Sequence, residues 1–230
     1  MLLSVVMPCY NERATIREIV ARVSAVDLGN VDKEIVIVDD GSSDGTRDIL
    51  AELNGRNGVR VLLQTRNQGK GAAVARGIRE SSGDIIIIQD ADLEYDPRDY
   101  VPMVQALLDG RGEIIYGSRY MGRGRHANQS LAAYLGGRSL SLVALAFTGT
   151  YLTDTVTALK LFPRQLLMSL TLTTSGFELD HEITAKMLAN GCRIREVPVS
   201  YNPRSREEGK KIGLKDWFIG CRTFWRFRNG

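Results

Sequence analysis

Cysteine and histidine are both scarce in this 230-residue sequence, which has three cysteines, Cys9, Cys192 and Cys221, and two histidines, His126 and His181. The cysteines are odd in number and form no Cys-x-x-Cys pair, so a disulfide framework and a Cys/His zinc site are excluded and a reducing compartment fits. Two scattered histidines leave no Ser/His/Asp or Cys/His nucleophile set. Cys9, beside Pro8, reads as small core filler. Long hydrophobic runs are missing too. The least charged stretch, 127–152, is interrupted by Arg138 and by several glycines and threonines, so no transmembrane helix is expected. The apolar opening, Met1 to Pro8, has no basic lead and too short a core for a signal peptide, and reads as a strand. Neither charge sign dominates: the net charge is +3, with 43% hydrophobic and 25% charged residues, a globular balance that excludes disorder. The charge is unevenly placed. From Arg193 to Gly230 ten Lys/Arg stand against four Asp/Glu, a net +6, which leaves −3 on residues 1–192. Such a tail calls for an anionic partner.

Apolar runs at 2–7, 34–38, 59–63 and 85–89 alternate with helical patterns at 14–26, 44–53 and 69–81. This βαβαβαβ order predicts an α/β fold, a Rossmann-like mainly parallel sheet with helices on both faces. A second half follows, with helices at 97–108, 131–147 and 180–190 and strands at 113–117 and 193–201. Ligands of such sheets sit at the carboxyl ends of the strands.

Three clusters fall at that edge. Asp90, Asp92 and Glu94 follow four isoleucines; carboxylates two apart point to one side of an extended chain and suit a divalent ion shared with a diphosphate. Taken alone, the same residues also describe a solvated loop or a cap for a helix at Pro97. Asp39 and Asp40 close the second strand, where a carboxylate can accept hydrogen bonds from a nucleobase or ribose, whereas Asp44 or Ser43 suits a helix cap. The run from Thr65 to Gly71 lacks the spacing of a Walker A loop or dinucleotide fingerprint and reads as a glycine-rich helix start that brings Lys70 to a nucleotide.

Taken in order, Pro8-Cys9-Tyr10-Asn11-Glu12, Asp39-Asp40-Gly41-Ser42, Gly69-Lys70-Gly71 and Asp90-Ala91-Asp92 resemble the family 2 glycosyltransferases. Gly117-Ser118-Arg119-Tyr120, Gly176-Phe177-Glu178, Glu196-Val197-Pro198 and the stretch 204–211 resemble its polyprenyl-phosphate branch, typified by dolichol-phosphate mannosyltransferase. The resemblance spans residues 4 to about 213. It implies a GT-A fold over residues 1–213, with 214–230 as an amphipathic helix. It also implies a donor site of Pro8, Tyr10, Glu12, Asp39, Lys70 and Asp90, a Mg²⁺ or Mn²⁺ held by Asp90, Asp92 and Glu94, and an acceptor-phosphate site of Arg119, Arg138, Arg204 and Lys211, with Asp92 and Arg119 as the catalytic residues. The sequence departs from the branch at Glu94, where many relatives carry Gln, at Ala158, where Gly is common, and at Glu208-Gly209-Lys210-Lys211, where the usual pattern is Gly-x-Ser-Lys.

The implied reaction is inverting, metal-dependent transfer of a hexose from GDP-mannose or a UDP-sugar to a polyprenyl phosphate, with mannose favoured. A phosphate acceptor is already a nucleophilic anion and needs no general base. A hydroxyl acceptor on a saccharide or protein would need one, from Glu178, Asp180 or Asp92. A sugar-1-phosphate nucleotidyltransferase would show a glycine-rich arginine loop near the N-terminus, which Asn11 to Ala14 does not supply. A non-enzymatic anion-binding module is the remaining alternative. No nucleic-acid-binding motif is present, and the acidic first 192 residues weigh against a nucleic-acid partner.

At the C-terminus, Leu214, Trp217, Phe218, Cys221 and Trp225 share one helical face and Lys215, Arg222 and Arg226 another. The stripe either lies on a membrane surface or packs on the domain, a second subunit or a membrane-anchoring partner. The expected location is the cytoplasm, peripherally at the cytoplasmic face of a membrane.

Overall fold

The structure, a computed structural model, describes the chain except for Arg123, Ala127, Asn128 and residues 204–212. The elements in chain order are β1 (Leu2–Cys9), α1 (Ile16–Ala25), β2 (Asp32–Asp39), α2 (Thr46–Leu53), β3 (Val59–Leu63), α3 (Lys70–Glu80), β4 (Ile85–Ile88), a 3₁₀ turn (Pro97–Asp99) that leads into α4 (Tyr100–Leu108), β5 (Ile114–Ser118), α5 (Leu131–Thr148), β6 (Lys160–Pro163), α6 (Arg164–Met168), α7 (Leu179–Ala189), β7 (Ile194–Pro198) and α8 (Leu214–Arg226).

The strands form one sheet in the order β3-β2-β1-β4-β6-β5-β7. The first four are parallel, as the alternation of apolar runs and helices predicts. β6 is antiparallel to both β4 and β5, and β7 is parallel to β5. All four isoleucines of β4 are buried, as in a strand covered on both faces. Alternate residues divide between two cores: Val5, Met7, Ile85 and Ile87 pack on one face, while Val6, Ile86 and Ile88 pack on the other with Val74, Ile78 and Ile183.

β6 and α6 are the elements that hydrophobic patterning does not predict. β6 is four residues long, begins with Lys160 and ends at Pro163. A lysine in the middle of a sheet runs against strand composition, and Lys160 is fully buried there because Asp180 offsets its charge.

The antiparallel seam divides the sheet into two blocks. β1 to β4 deliver their carboxyl ends to one edge, and β5, β7, α5 and α8 build the adjoining wall. α5 is a continuous 18-residue helix with a mean hydropathy of 1.4, long and apolar enough by length and composition alone to cross a bilayer despite Arg138. It packs its Gly137, Leu140, Ser141 and Ala144 side inward and lies against α7 and α8. α8 buries Gly220, Thr223 and Phe224, and Phe224 joins Ala144 of α5 and Ala185 of α7 in a small third core.

Candidate active site

At the carboxyl edge of the sheet lies a cavity of about 690 Å³. Pro8, Cys9, Tyr10 and Glu12 line it from the end of β1, Lys70 from the start of α3, and Asp90, Asp92 and Glu94 from the end of β4. Arg119 enters from the end of β5. The structure thus brings together most of the residues singled out in the sequence.

The loops that carry them are fastened side chain to backbone. Asn11 holds a left-handed conformation, φ 56°. Its backbone N–H donates to Ser42 Oγ at 2.9 Å, and its Oδ1 accepts from the Ser43 N–H at 2.9 Å, tying the β1 loop to the β2 loop. Thr15 Oγ1 is 2.7 Å from Glu12 Oε2 and 3.0 Å from the Ala91 carbonyl oxygen, which links the β1 loop to the acidic loop after β4.

Asp39 and Asp40 divide their labour unexpectedly. Asp39 is fully buried behind the cavity wall; its carboxylate accepts from the Gly41 and Ser42 N–H groups and from Arg47 Nε at 2.7 Å. Asp40 borders the cavity. Its two oxygens accept from Gln68 N–H at 2.7 Å, Gly69 N–H at 2.8 Å and Gln64 Nε2 at 2.8 Å. Asp40 therefore fixes the loop that launches α3, and Asp39 fixes its own turn. The adjacent carboxylates were the available signal, but strand alternation alone does not tell which of the two meets the ligand.

Lys70 opens α3 on a backbone with no slack. Gly69 has φ 100°, and a Cβ on it would come 2.4 Å from the Ser175 carbonyl oxygen; one on Gly71 would come 2.6 Å from that of Gly176. Lys70 Nζ lies 2.7 Å from Asp90 Oδ1 and 3.9 Å from Asp180 Oδ2. Asp180 Oδ1 in turn accepts from Lys160 Nζ at 3.0 Å. Burial alone would lower the Lys70 pKa, but the carboxylates of Asp90 and Asp180 outweigh it and hold the ammonium charged. Asp180 is held below the usual carboxylate range by Lys160 and Lys70 against the opposing effect of burial. At Lys160 burial wins, and its pKa is lowered. Its neighbour His181 is pushed down to about 4 by burial and by Lys160. Among the described residues His181 Nδ1 is buried with no hydrogen-bond partner, and the ring packs on Phe224 of α8 at 5.1 Å between centroids.

A second group of contacts is organised around Arg119. Its guanidinium meets Asp154 in a two-pronged contact, Nε to Oδ2 at 2.6 Å and a terminal nitrogen to Oδ1 at 2.7 Å, while its backbone N–H donates to Oδ2 at 3.0 Å. Asp154 raises the Arg119 pKa in spite of burial. The guanidinium also stacks on Tyr201 at 4.9 Å and on Tyr120 at 5.2 Å. Glu196 anchors the segment behind it, accepting from Thr153 N–H at 2.7 Å and Asp154 N–H at 2.8 Å. Arg138 stands on the far side of Tyr120, 5.8 Å from its ring, and donates to the Thr153 carbonyl and the Tyr151 hydroxyl at 2.7 Å each. It is near the cavity wall but does not line it. Arg204 and Lys211 lie outside the described residues. Asp154 and Lys160 carried no cue in the sequence, because their roles depend on partners 35 and 20 residues away.

Among the described residues no three His, Cys, Asp or Glu side chains converge into a ready metal cage. The donors at the end of β4 are carboxylates alone, with Tyr201 donating to Glu94 Oε2 at 3.1 Å and the Glu94 N–H donating to Asp92 Oδ1 at 3.0 Å. One or two carboxylates completed by diphosphate and water oxygens suit a hard divalent ion. The residues therefore fit an ion shared with a ligand and do not form a dedicated cage.

The cavity also has apolar lining: Ala133, Gly137 and Leu140 of α5 and Leu214, Trp217 and Ile219 of α8 contribute to it. Trp217 Nε1 donates to Ser139 Oγ at 2.8 Å, pinning α8 on α5.

The fold and this edge define a GT-A-type α/β transferase architecture. The structure superposes with a TM-score of 0.73 on glucosyl-3-phosphoglycerate synthase from Mycobacterium tuberculosis in complex with UDP, at 24% identity, over 99% of this chain and 80% of that one. The same enzyme with Mg²⁺ and UDP gives 0.67 at 25% identity, over 90% and 73%. Residues 4–163 match the family model for glycosyl transferase family 2, and the chain belongs to that family. It is 32% identical over 216 residues to a dolichol-phosphate mannosyltransferase of Pyrococcus furiosus, 93% of this chain and 60% of that protein. It is 28% identical to a UDP-N-acetylglucosamine–dolichyl-phosphate N-acetylglucosaminyltransferase of Methanococcus voltae, over 98% and 94% of the two chains. The chain thus spans about three-fifths of the Pyrococcus relative's length.

Proposed function

We propose that this protein transfers a hexose, with inversion, from a nucleoside-diphosphate sugar to a polyprenyl phosphate. The observation that carries the reading is the mixed lining of the cavity: the carboxylates, Lys70 and Arg119 share it with apolar side chains of α5 and α8. A phosphate head on an apolar tail matches that combination. The relatives named for dolichyl-phosphate acceptors point the same way.

In this reading Pro8, Tyr10, Glu12 and Lys70 surround the donor, and Asp39 acts on it through the turn it stabilises. Asp90 and Asp92, with Glu94 beside them, would hold Mg²⁺ or Mn²⁺, whose chemistry is to neutralise charge on the departing diphosphate. Arg119, rigid on Asp154 and stacked between tyrosines, aims the acceptor phosphate; a guanidinium carries five N–H donors, more than Asp154 uses. Arg138 steadies the Tyr120 side of that clamp, and Arg204 and Lys211 supply further positive charge for the same phosphate. The phosphate oxygen attacks the anomeric carbon from the face opposite the diphosphate, which inverts that carbon as its bond to the diphosphate breaks and the nucleoside diphosphate leaves; the phosphate is already an anion, so no general base is required.

The membrane surface is the natural source of such an acceptor. Leu131, Leu135 and Leu142 of α5 and Leu214, Phe218 and Trp225 of α8, the two helices that contribute apolar lining to the cavity, are exposed. These side chains would sit at the cytoplasmic face of the bilayer, with or without an anchoring partner. The test is a transfer assay with Mg²⁺ or Mn²⁺, offering GDP-mannose and UDP-sugars in parallel to a short-chain polyprenyl phosphate. Metal-dependent glycolipid formation, with mannose as the favoured sugar, is the expected result. Transfer to a soluble hydroxyl acceptor instead would overturn the reading.

A further inference from the structure

Lys70 stands in a row of four charges of alternating sign, Asp90, Lys70 and Asp180 on the cavity lining and the buried Lys160 behind them, joined at 2.7, 3.9 and 3.0 Å. Asp90, a carboxylate assigned above to a divalent ion, thus already has a cation in contact. An incoming ion must either displace that ammonium or share the carboxylate with it against direct repulsion. Lys70 cannot retreat by moving its backbone, because Gly69 and Gly71 are pressed against the 175–176 segment. Its side chain is a point charge on a flexible stem and can change partners. The nearest second anion, Asp180, is engaged by Lys160, so it cannot draw Lys70 away on equal terms. A diphosphate placed in the cavity would supply the missing alternative anion.

We infer that Lys70 is a resident counter-cation of Asp90: it holds divalent ions off the nucleotide-free protein, then passes to the donor's diphosphate, so that ion and donor load together. This inference rests on the glycosyl-transfer reading only in placing a diphosphate beside Lys70.

The experiment is Mn²⁺ binding to the full chain, followed by loss of the free-ion electron paramagnetic resonance signal, without nucleotide and with GDP or UDP. Wild type should bind Mn²⁺ weakly alone and more tightly with nucleotide. Lys70→Met should raise nucleotide-free affinity by about tenfold or more, and should shrink the nucleotide effect correspondingly. Lys70→Gln, which keeps a hydrogen-bond donor toward Asp90, should shift it in the same direction and serves if the Met variant does not fold. Arg66→Gln removes an exposed positive charge from the preceding loop and should change affinity by less than about threefold. Unchanged nucleotide-free affinity in the folded Lys70 variants, or an equal gain in Arg66→Gln, overturns the inference and leaves the transfer reading standing, provided that wild type still takes up Mn²⁺ with nucleotide. If wild type takes up no Mn²⁺ even with GDP or UDP, both the inference and the assignment of the metal fail.

Discussion

A buried charge persists only where a neighbour offsets its lost hydration, and in this protein that rule separates residues that hold the frame from residues that meet ligand. Asp39 and Asp154 are saturated by nearby donors and hold the frame, whereas Asp92 reaches the cavity. Asp92→Asn keeps the Oδ1 that accepts from the Glu94 N–H and removes only charge. Transfer activity is expected to fall on the order of a hundredfold or more, with the thermal midpoint little changed. A purified, folded Asn variant with near-normal turnover would remove Asp92 from the chemistry. His181 offers a stability test. Its folded pKa of about 4 lies below the ordinary value of 6.5. The unfolded chain therefore binds the proton first, and the stabilisation from neutral His181 is lost as pH falls from 6.5 toward 4. Between pH 7 and 5 this amounts to about 2 kcal/mol. Denaturant unfolding of His181→Gln at both pH values should show most of that difference gone. The lowered carboxylates Asp180, Glu182 and Glu34 act at lower pH, in the window below the ordinary carboxylate range.

At the scale of elements, α8 shows what an apolar stripe does and does not reveal. The stripe read from its spacing exists, but Leu214, Phe218 and Trp225 are 82%, 66% and 53% exposed, while a different set, Gly220, Thr223 and Phe224, packs inward. The small residues Gly220 and Thr223 leave no hydrophobic signature, so the docked face was not legible. Gly220 is required there by packing: a Cβ would come 2.9 Å from His181 Nε2. Replacing Phe218 and Trp225 together with Ser should lower binding to anionic vesicles in a flotation assay by roughly tenfold or more and change the thermal midpoint much less, since more than half of each residue's surface is exposed in the fold. A fall in the midpoint without a change in flotation would mean that these side chains serve the fold. α5 makes a related point. Arg138 breaks the apolar run in the sequence, but in the helix its guanidinium is drawn aside to Thr153 and Tyr151.

For the molecule as a whole, the parallel half was legible because each strand there is a short aliphatic run and each helix a periodic one. Ile85 to Ile88 and the helix from Lys70 to Glu80 announce themselves by composition and spacing. The placement of the carboxylates after β4 was legible for the same reason: a carboxylate that follows a buried strand emerges at the strand's carboxyl end. The other half was obscure. β6 is short and led by lysine, and the partners of Arg119 and Lys160 come from loops and helices far along the chain. Long-range pairing of charges has no periodic signature, so only the fold could show it.

The antiparallel strand β6 has an effect on how such a molecule can diversify. It pairs with β4 on one side and with β5 on the other, and so joins the two blocks of the sheet. Backbone pairing tolerates many side chains, so the two blocks can exchange partners across this seam much as two rooms share a door of standard size. A chain could keep the β1–β4 block while the other block is rewritten, as long as a buried Lys160 and its Asp180 survive at the threshold.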